Sequence, residues 1–276
     1  MKRTTIFALV LSALLATGPA LADNAEREAT KLRMTEGKAL YEQKCKTVAG
    51  EKIYKTVPEV EGLLLMKVRP KHGEREQSDW MWPGAAFAIE AHGDSYITSF
   101  LGYEYGSETV AENASKRVAT NQNYRGYINT DRRPGGIPGY RWVEVPDEKD
   151  GKRYRYTGRW YEPWQDDKSY LKGYIKFALD KVPAPGAAPR YGVTFEDHAI
   201  PEERRLGLAS STVKVLDLKT GEVLGEMLRY AWSPGAPSPA NPTPWLTAYK
   251  CPGHSVGASA ATRKFVDQIL IPKKGQ

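Results

Sequence analysis

Two cysteines, four histidines and no apolar run long enough to span a bilayer set the first limits on this 276-residue chain. A membrane-spanning helix needs about 20 consecutive apolar residues, and the longest such stretch, Ile6 to Ala16, is too short. So few cysteines leave no framework of several disulfides and no Cys-x-x-Cys zinc ribbon. The histidines, His72, His92, His198 and His254, are scattered and form neither an H-x-H nor an H-x-x-x-H pair. No metal site is predicted from spacing of this kind. The composition is otherwise that of a globular protein, with 41% hydrophobic and 26% charged residues.

The short apolar run has a different meaning. Lys2 and Arg3 precede it, Gly18-Pro19 breaks it, and Ala20-Leu21-Ala22 follows as a small-residue cleavage site, the pattern of a secretory leader. Removing residues 1–22 takes away two positive charges and leaves 254 residues with a net charge of +5, from 276 and +7. No cysteine sits just after the cleavage site, where Asp23 stands, so a lipid anchor is not expected. A bacterial periplasm is the simplest destination. There the isolated pair Cys45 and Cys251 is expected to be a disulfide, which ties the two ends of the mature chain into one compact unit.

The pattern along the chain predicts an α+β protein, mostly β: an antiparallel meander sheet or partial barrel with helices at both ends. Asp23 to about Val48 reads as helix. Ile53–Val57, Gly62–Val68 and Tyr96–Leu101 read as strands, and Glu108–Thr120 as a short helix. Pro70 to Asp94 is a long loop carrying Trp80-Met81-Trp82-Pro83-Gly84. Between Gly139 and Trp232 the segments Tyr140–Val145, Arg153–Trp160, Tyr170–Lys181, Tyr191–Asp197, Ser210–Asp217 and Glu222–Trp232 alternate with turn residues, which predicts a curved sheet of five to seven strands. The proline-rich stretch Pro234 to Pro244 excludes helix and central strand. Ala258–Leu270 reads as a closing amphipathic helix.

Two strings resemble catalytic or cofactor motifs and fail on context. Gly253-His254-Ser255-Val256-Gly257 matches the G-x-S-x-G nucleophile elbow, but no histidine follows it and no alternating β/α pattern supplies the parallel sheet that this elbow needs. Gly37 to Cys45 is similar to the approach to a c-type haem site, yet Cys45 lacks the C-x-x-C-H continuation. No cofactor is predicted. His92-Gly93-Asp94 and Glu196-Asp197-His198 are local groupings of histidine with carboxylate, and their spacing does not lift them above surface polar residues.

The most informative feature is a face. Strand alternation over 153–160 separates Arg153, Arg155 and Arg159 from Tyr154, Tyr156 and Trp160. In the next segment Lys172, Tyr174 and Lys176 share the outer side. With Trp80 and Trp82, these residues form the candidate ligand surface, since rings stack and cations pair with anionic groups. The reading that follows is a non-catalytic periplasmic binding or accessory protein whose partner is an envelope glycan, a lipid headgroup or another protein. An enzyme with a dispersed His/carboxylate site and a structural subunit of an envelope assembly are the two alternatives. Nucleic acid is excluded as a partner by export and the modest charge.

Overall fold

The computed structural model describes residues 18–71, 73, 78–102, 138–161, 176–253 and 261–274. The helix expected over Glu108–Thr120, the serine string at 254–257, His72, Lys172 and Tyr174 lie outside them.

The chain starts with α1 (Gly18–Leu32), passes through one π-turn at Arg33–Gly37 and continues as α2 (Lys38–Thr47). Three short strands follow, β1 (Gly50–Ile53), β2 (Val57–Val60) and β3 (Gly62–Leu65), then α3 (Asp94–Leu101). The strand-rich part comprises β4 (Trp142–Pro146), β5 (Arg153–Tyr161), β6 (Lys176–Pro183) and β7 (Tyr191–His198). After the single turn α4 (Pro201–Arg205) come β8 (Leu208–Asp217), β9 (Glu222–Trp232) and β10 (Tyr249–Cys251), and the chain closes with α5 (Ala261–Asp267) and β11 (Leu270–Pro272).

Among the described residues the main sheet has nine strands in the order β1-β9-β8-β7-β3-β4-β5-β6, with β10 also on β9. It is an open mixed sheet, which corrects the expected antiparallel meander or partial barrel. The hairpins β4–β5–β6 and β7–β8–β9 are antiparallel, as alternation and the turn at Lys219-Thr220-Gly221 predict. Between them sits β3, parallel to both β4 and β7. Its run of leucines explains the placement, because a central strand is covered on both faces; Leu63 and Leu65 are fully buried. Beyond β9, β1 pairs with its first half and β10 with its second. Strand β2 pairs with β11 in a separate parallel ribbon.

The Tyr96–Leu101 segment is α3 rather than the expected strand. Its aromatic and β-branched residues favour sheet, but Tyr96, Ile97, Phe100 and Leu101 fall on one helical face and all are buried. The closing helix is shorter than expected, because the chain leaves it after Asp267 to pair as β11.

One sheet face carries Leu65, Val193, Phe195, Val213, Val215 and Met227, and α3 and α5 pack on it through Tyr96, Ile97, Phe100, Phe265 and Val266. The opposite face carries Leu208, Tyr230 and Trp232 under Leu40 and Tyr41 of α2. Gly37 lets the helical segment close on the sheet: a Cβ there would sit 2.1 Å from the Leu206 carbonyl oxygen. Gly207, at φ +79° and with the Ser233 carbonyl 2.2 Å from any Cβ, makes the same junction from the other side.

The Cys45–Cys251 disulfide joins α2 to β10, with Cα atoms 5.7 Å apart and a sequence separation of 206. Cross-linking so long a loop restricts the unfolded chain strongly. The C45S/C251S double variant is expected to lose about 2–5 kcal/mol in urea unfolding, an effect that reductant reproduces in the wild type. Limited proteolysis is expected to cut α1 and α2 first once the bridge is gone.

Candidate functional site

Along the face that carries α3 and α5, apolar rows give way to a polar one near one end of the strands. Asp197 on β7 pairs with Ser211 on β8, and Ser211 with Arg229 on β9. The row therefore projects from one side of the sheet. The next row, Ala209 and Ala231 with Lys250 on β10, is small or cationic. Phe87, Ala85, Ala86 and Trp245 cover it in a second apolar cluster, with Trp80 and Trp82 against them. The polar row is thus enclosed between two apolar layers.

Three further segments complete it. Arg69, from the loop after β3, donates to Glu90 at 2.8 Å, to both oxygens of Asp197 at 2.9 and 3.2 Å, and to Ser211 at 3.3 Å. Glu90, at the end of the Trp loop, also accepts from Thr262 at the start of α5 (3.1 Å) and from Arg229. Arg69, Glu90 and Arg229 are all buried. Burial alone would raise the Glu90 pKa, but the Arg229 and Arg69 charges and the Arg229 and Thr262 hydrogen bonds hold it below the usual carboxylate range. Burial likewise opposes the Arg69 charge, and Glu90 and Asp197 more than offset it, so its pKa rises. The rings of Phe195 and Phe87 lie 4.2 and 6.0 Å from the Arg69 guanidinium.

A third buried cation is placed differently. The Arg204 guanidinium hydrogen-bonds only through Nη2, to the carbonyls of Trp82 (3.2 Å), Pro83 (3.2 Å) and His198 (3.3 Å). It lies 4.8 Å from the centre of the Trp245 ring. Burial pushes its pKa down to about 10, with only partial compensation from Asp197, Asp79 and Glu203. Its Nε and Nη1 are buried without a hydrogen-bond partner, as are Nε and Nη2 of Arg229 and Nε1 of Trp245. Burying such donors unpaired costs about 1–3 kcal/mol each.

The sequence-predicted residues divide between this region and the far side of the sheet. Trp80 stacks on Trp245 at 4.3 Å and donates from Nε1 to the Arg204 carbonyl at 3.1 Å. Trp82 packs beside it. On β5, Arg153 and Arg155 share the buried Glu144 carboxylate, and Arg155 lies 4.0 Å from the Trp142 ring centre. Arg159 pairs with Asp180 at 3.0 Å. Carboxylates thus engage all three arginines. Lys176 opens β6 opposite Tyr161, and its side chain is outside the described set. Asp197 turns to Arg69, while His198 turns to Thr212 on the opposite face, at 3.0 Å. His92 contacts the Glu90 carbonyl at 3.2 Å. Among the described residues no three His, Cys, Asp or Glu side chains gather as metal ligands do.

Arg69, Glu90, Arg204, Arg229 and Lys250 do not stand out in a sequence reading that treats charges as solvated. One signal was present: alternation on β9 places Arg229 in register with Met227 and Ala231, on the inward face.

Glu90→Gln is expected to cost about 3–5 kcal/mol in chemical unfolding, because it leaves two buried guanidinium groups short of a counter-charge. Since the folded state holds Glu90 at a depressed pKa, its stabilisation is complete above the ordinary glutamate value and lost as pH falls through the lower, folded value. A Tm profile from pH 7 to about pH 2 is expected to fall at the acid end, and less steeply in Glu90→Gln.

No protein-family model matches the chain, and neither a curated protein nor a solved structure matches it.

Proposed function

We propose that the protein is an exported, non-catalytic binding or accessory protein of the bacterial cell envelope. The observation that carries this reading is the pair of buried guanidinium groups, Arg204 and Arg229, whose remaining donors have no partner beneath the turn of Trp80 to Gly84. Stability alone does not favour such an arrangement, because a buried donor without an acceptor is a net cost. A receptor gains from it, since the ligand supplies the missing acceptors. Export rests on the leader at Lys2 to Ala22 and is supported by the Cys45–Cys251 bridge, a pairing suited to an oxidising compartment. No helix among the described residues is long and apolar enough to cross a membrane.

The β5–β6 face serves as a secondary contact surface. Arg153, Arg155 and Arg159 present it, and Lys172, Tyr174 and Lys176 are its further candidates from the sequence. Its charge is moderated by Glu144 and Asp180, so the Trp80–Trp82 side carries the main recognition role. A glycan, a lipid headgroup and a partner protein remain the candidate ligands.

Mass spectrometry of protein isolated from its own envelope tests the proposal. The expected denatured mass is that of a chain starting at Asp23 and about 2 Da light for the bridge, and the expected native spectrum carries a discrete adduct. An uncleaved, reduced chain would overturn export, and an adduct-free native spectrum would overturn binding of a small ligand.

A further inference from the structure

We infer that Arg204, Arg229 and Lys250 form a binding site for an oxyanion group, a carboxylate or a phosphate, in the layer between β9 and the Trp80–Gly84 turn. The inference rests on the binding reading above and names the chemistry of the ligand.

Aromatic rings connect the three cations. Arg229 lies 4.8 Å from the Phe87 ring centre, and Arg204 lies 4.8 Å from that of Trp245. Phe87 and Trp245 belong to one packed cluster with Ala231, the residue opposite Lys250. The Lys250 ammonium has only the carbonyls of Trp245 and Ala248, each at 3.5 Å, the outer limit for a hydrogen bond. Burial lowers its pKa; Glu90 opposes that shift and Arg229 adds to it.

The acceptors do not match these donors. Glu90 and Asp197 are already bound by Arg69, and Glu90 also by Arg229 and Thr262. Glu203 pairs with Lys44 through Oε1 on the side of α2, and its buried Oε2 makes no hydrogen bond to Arg204 or any other described group. Asp79 is exposed and accepts from the Met81 backbone amide. Left over around this layer are Nε and Nη1 of Arg204, Nε and Nη2 of Arg229 and the indole Nε1 of Trp245. The Nε/Nη2 edge of Arg229 presents paired donors in the geometry of two oxygens on one carbon or phosphorus, and Arg204 adds single donors. A neutral sugar hydroxyl lacks the charge to offset two buried cations and a half-buried one.

The same geometry supplies a response. The turn above the site is held by Arg204 Nη2 on the carbonyls of Trp82 and Pro83 and by Trp80 Nε1 on the Arg204 carbonyl. The unpaired donors are closed to solvent, so an oxyanion enters as this turn shifts. The Trp80–Trp245 stack reports that shift.

The test titrates the full mature protein with inorganic phosphate and, separately, with succinate, at constant ionic strength set by potassium chloride. Tryptophan fluorescence, calorimetry and Tm are read for the wild type and for Lys250→Met. One of the two anions is expected to raise Tm and change the fluorescence, which also tells a phosphate source from a carboxylate one. Lys250→Met is expected to weaken that binding about tenfold or more while leaving the anion-free Tm unchanged or higher, since it removes a buried charge without a carboxylate partner. Trp245→Phe, which keeps the ring and deletes the orphan N–H, is expected to weaken binding by a smaller factor. No response of the wild type up to about 10 mM of either anion, or equal binding by Lys250→Met, overturns the site. If the site fails while envelope-isolated protein still carries a native adduct, the binding reading stands without it; if the adduct is also absent, both fall.

Discussion

The Glu90 carboxylate, buried between Arg69 and Arg229, is the interaction on which the arrangement of the rest depends. Its partners come from the loop after β3, from β9 and from the first residues of α5. A buried carboxylate is tolerable only with its charge and lone pairs matched, so these segments have to meet at one point. The position of the Trp loop follows, because Glu90 ends the segment that carries Trp80, Trp82 and Phe87. The same requirement fixes the end of the apolar core: rows of Val, Phe and Met stop where Asp197, Ser211 and Arg229 begin.

Stapling the two ends is a separate constraint. Strands β1 and β10, from opposite ends of the chain, divide one edge of β9 between them, and the disulfide ties α2 to β10. The aromatic stack of Tyr41, Trp232 and Tyr249 lies alongside, with ring centres 6.0 and 5.3 Å apart. Three short elements, each too small to hold its place alone, fix one another there.

What the sequence makes legible follows from how local each cause is. The hairpins from β4 to β9 are visible because alternation and turn residues act over a few positions. The cysteine pair is visible because there is only one way to join two cysteines. By contrast, β3 is recognisable as a buried strand, but nothing local says that its neighbours are β4 and β7. Tyr96 to Leu101 misleads because strand-favouring residue types occupy helix-favouring positions, and packing decides between them. At the site, Trp80 and Trp82 stand out as aromatics in a loop. Arg204 and Arg229 do not, since an arginine shows that it is buried only once its neighbours are known. The Arg153 and Arg155 face looks more cationic in sequence than it is in space, because Glu144 comes from a different strand.

The parallel insertion of β3 also bears on how the chain assembles. Its two neighbours both come much later in the sequence, so an early strand waits for partners made long after it. Contacts this distant in sequence slow folding. Until β4 and β7 arrive, Leu63-Leu64-Leu65-Met66 is a bare apolar strand, and unpaired strands of this kind invite pairing with other chains. The strand that seals the finished sheet is thus a liability of the incomplete chain.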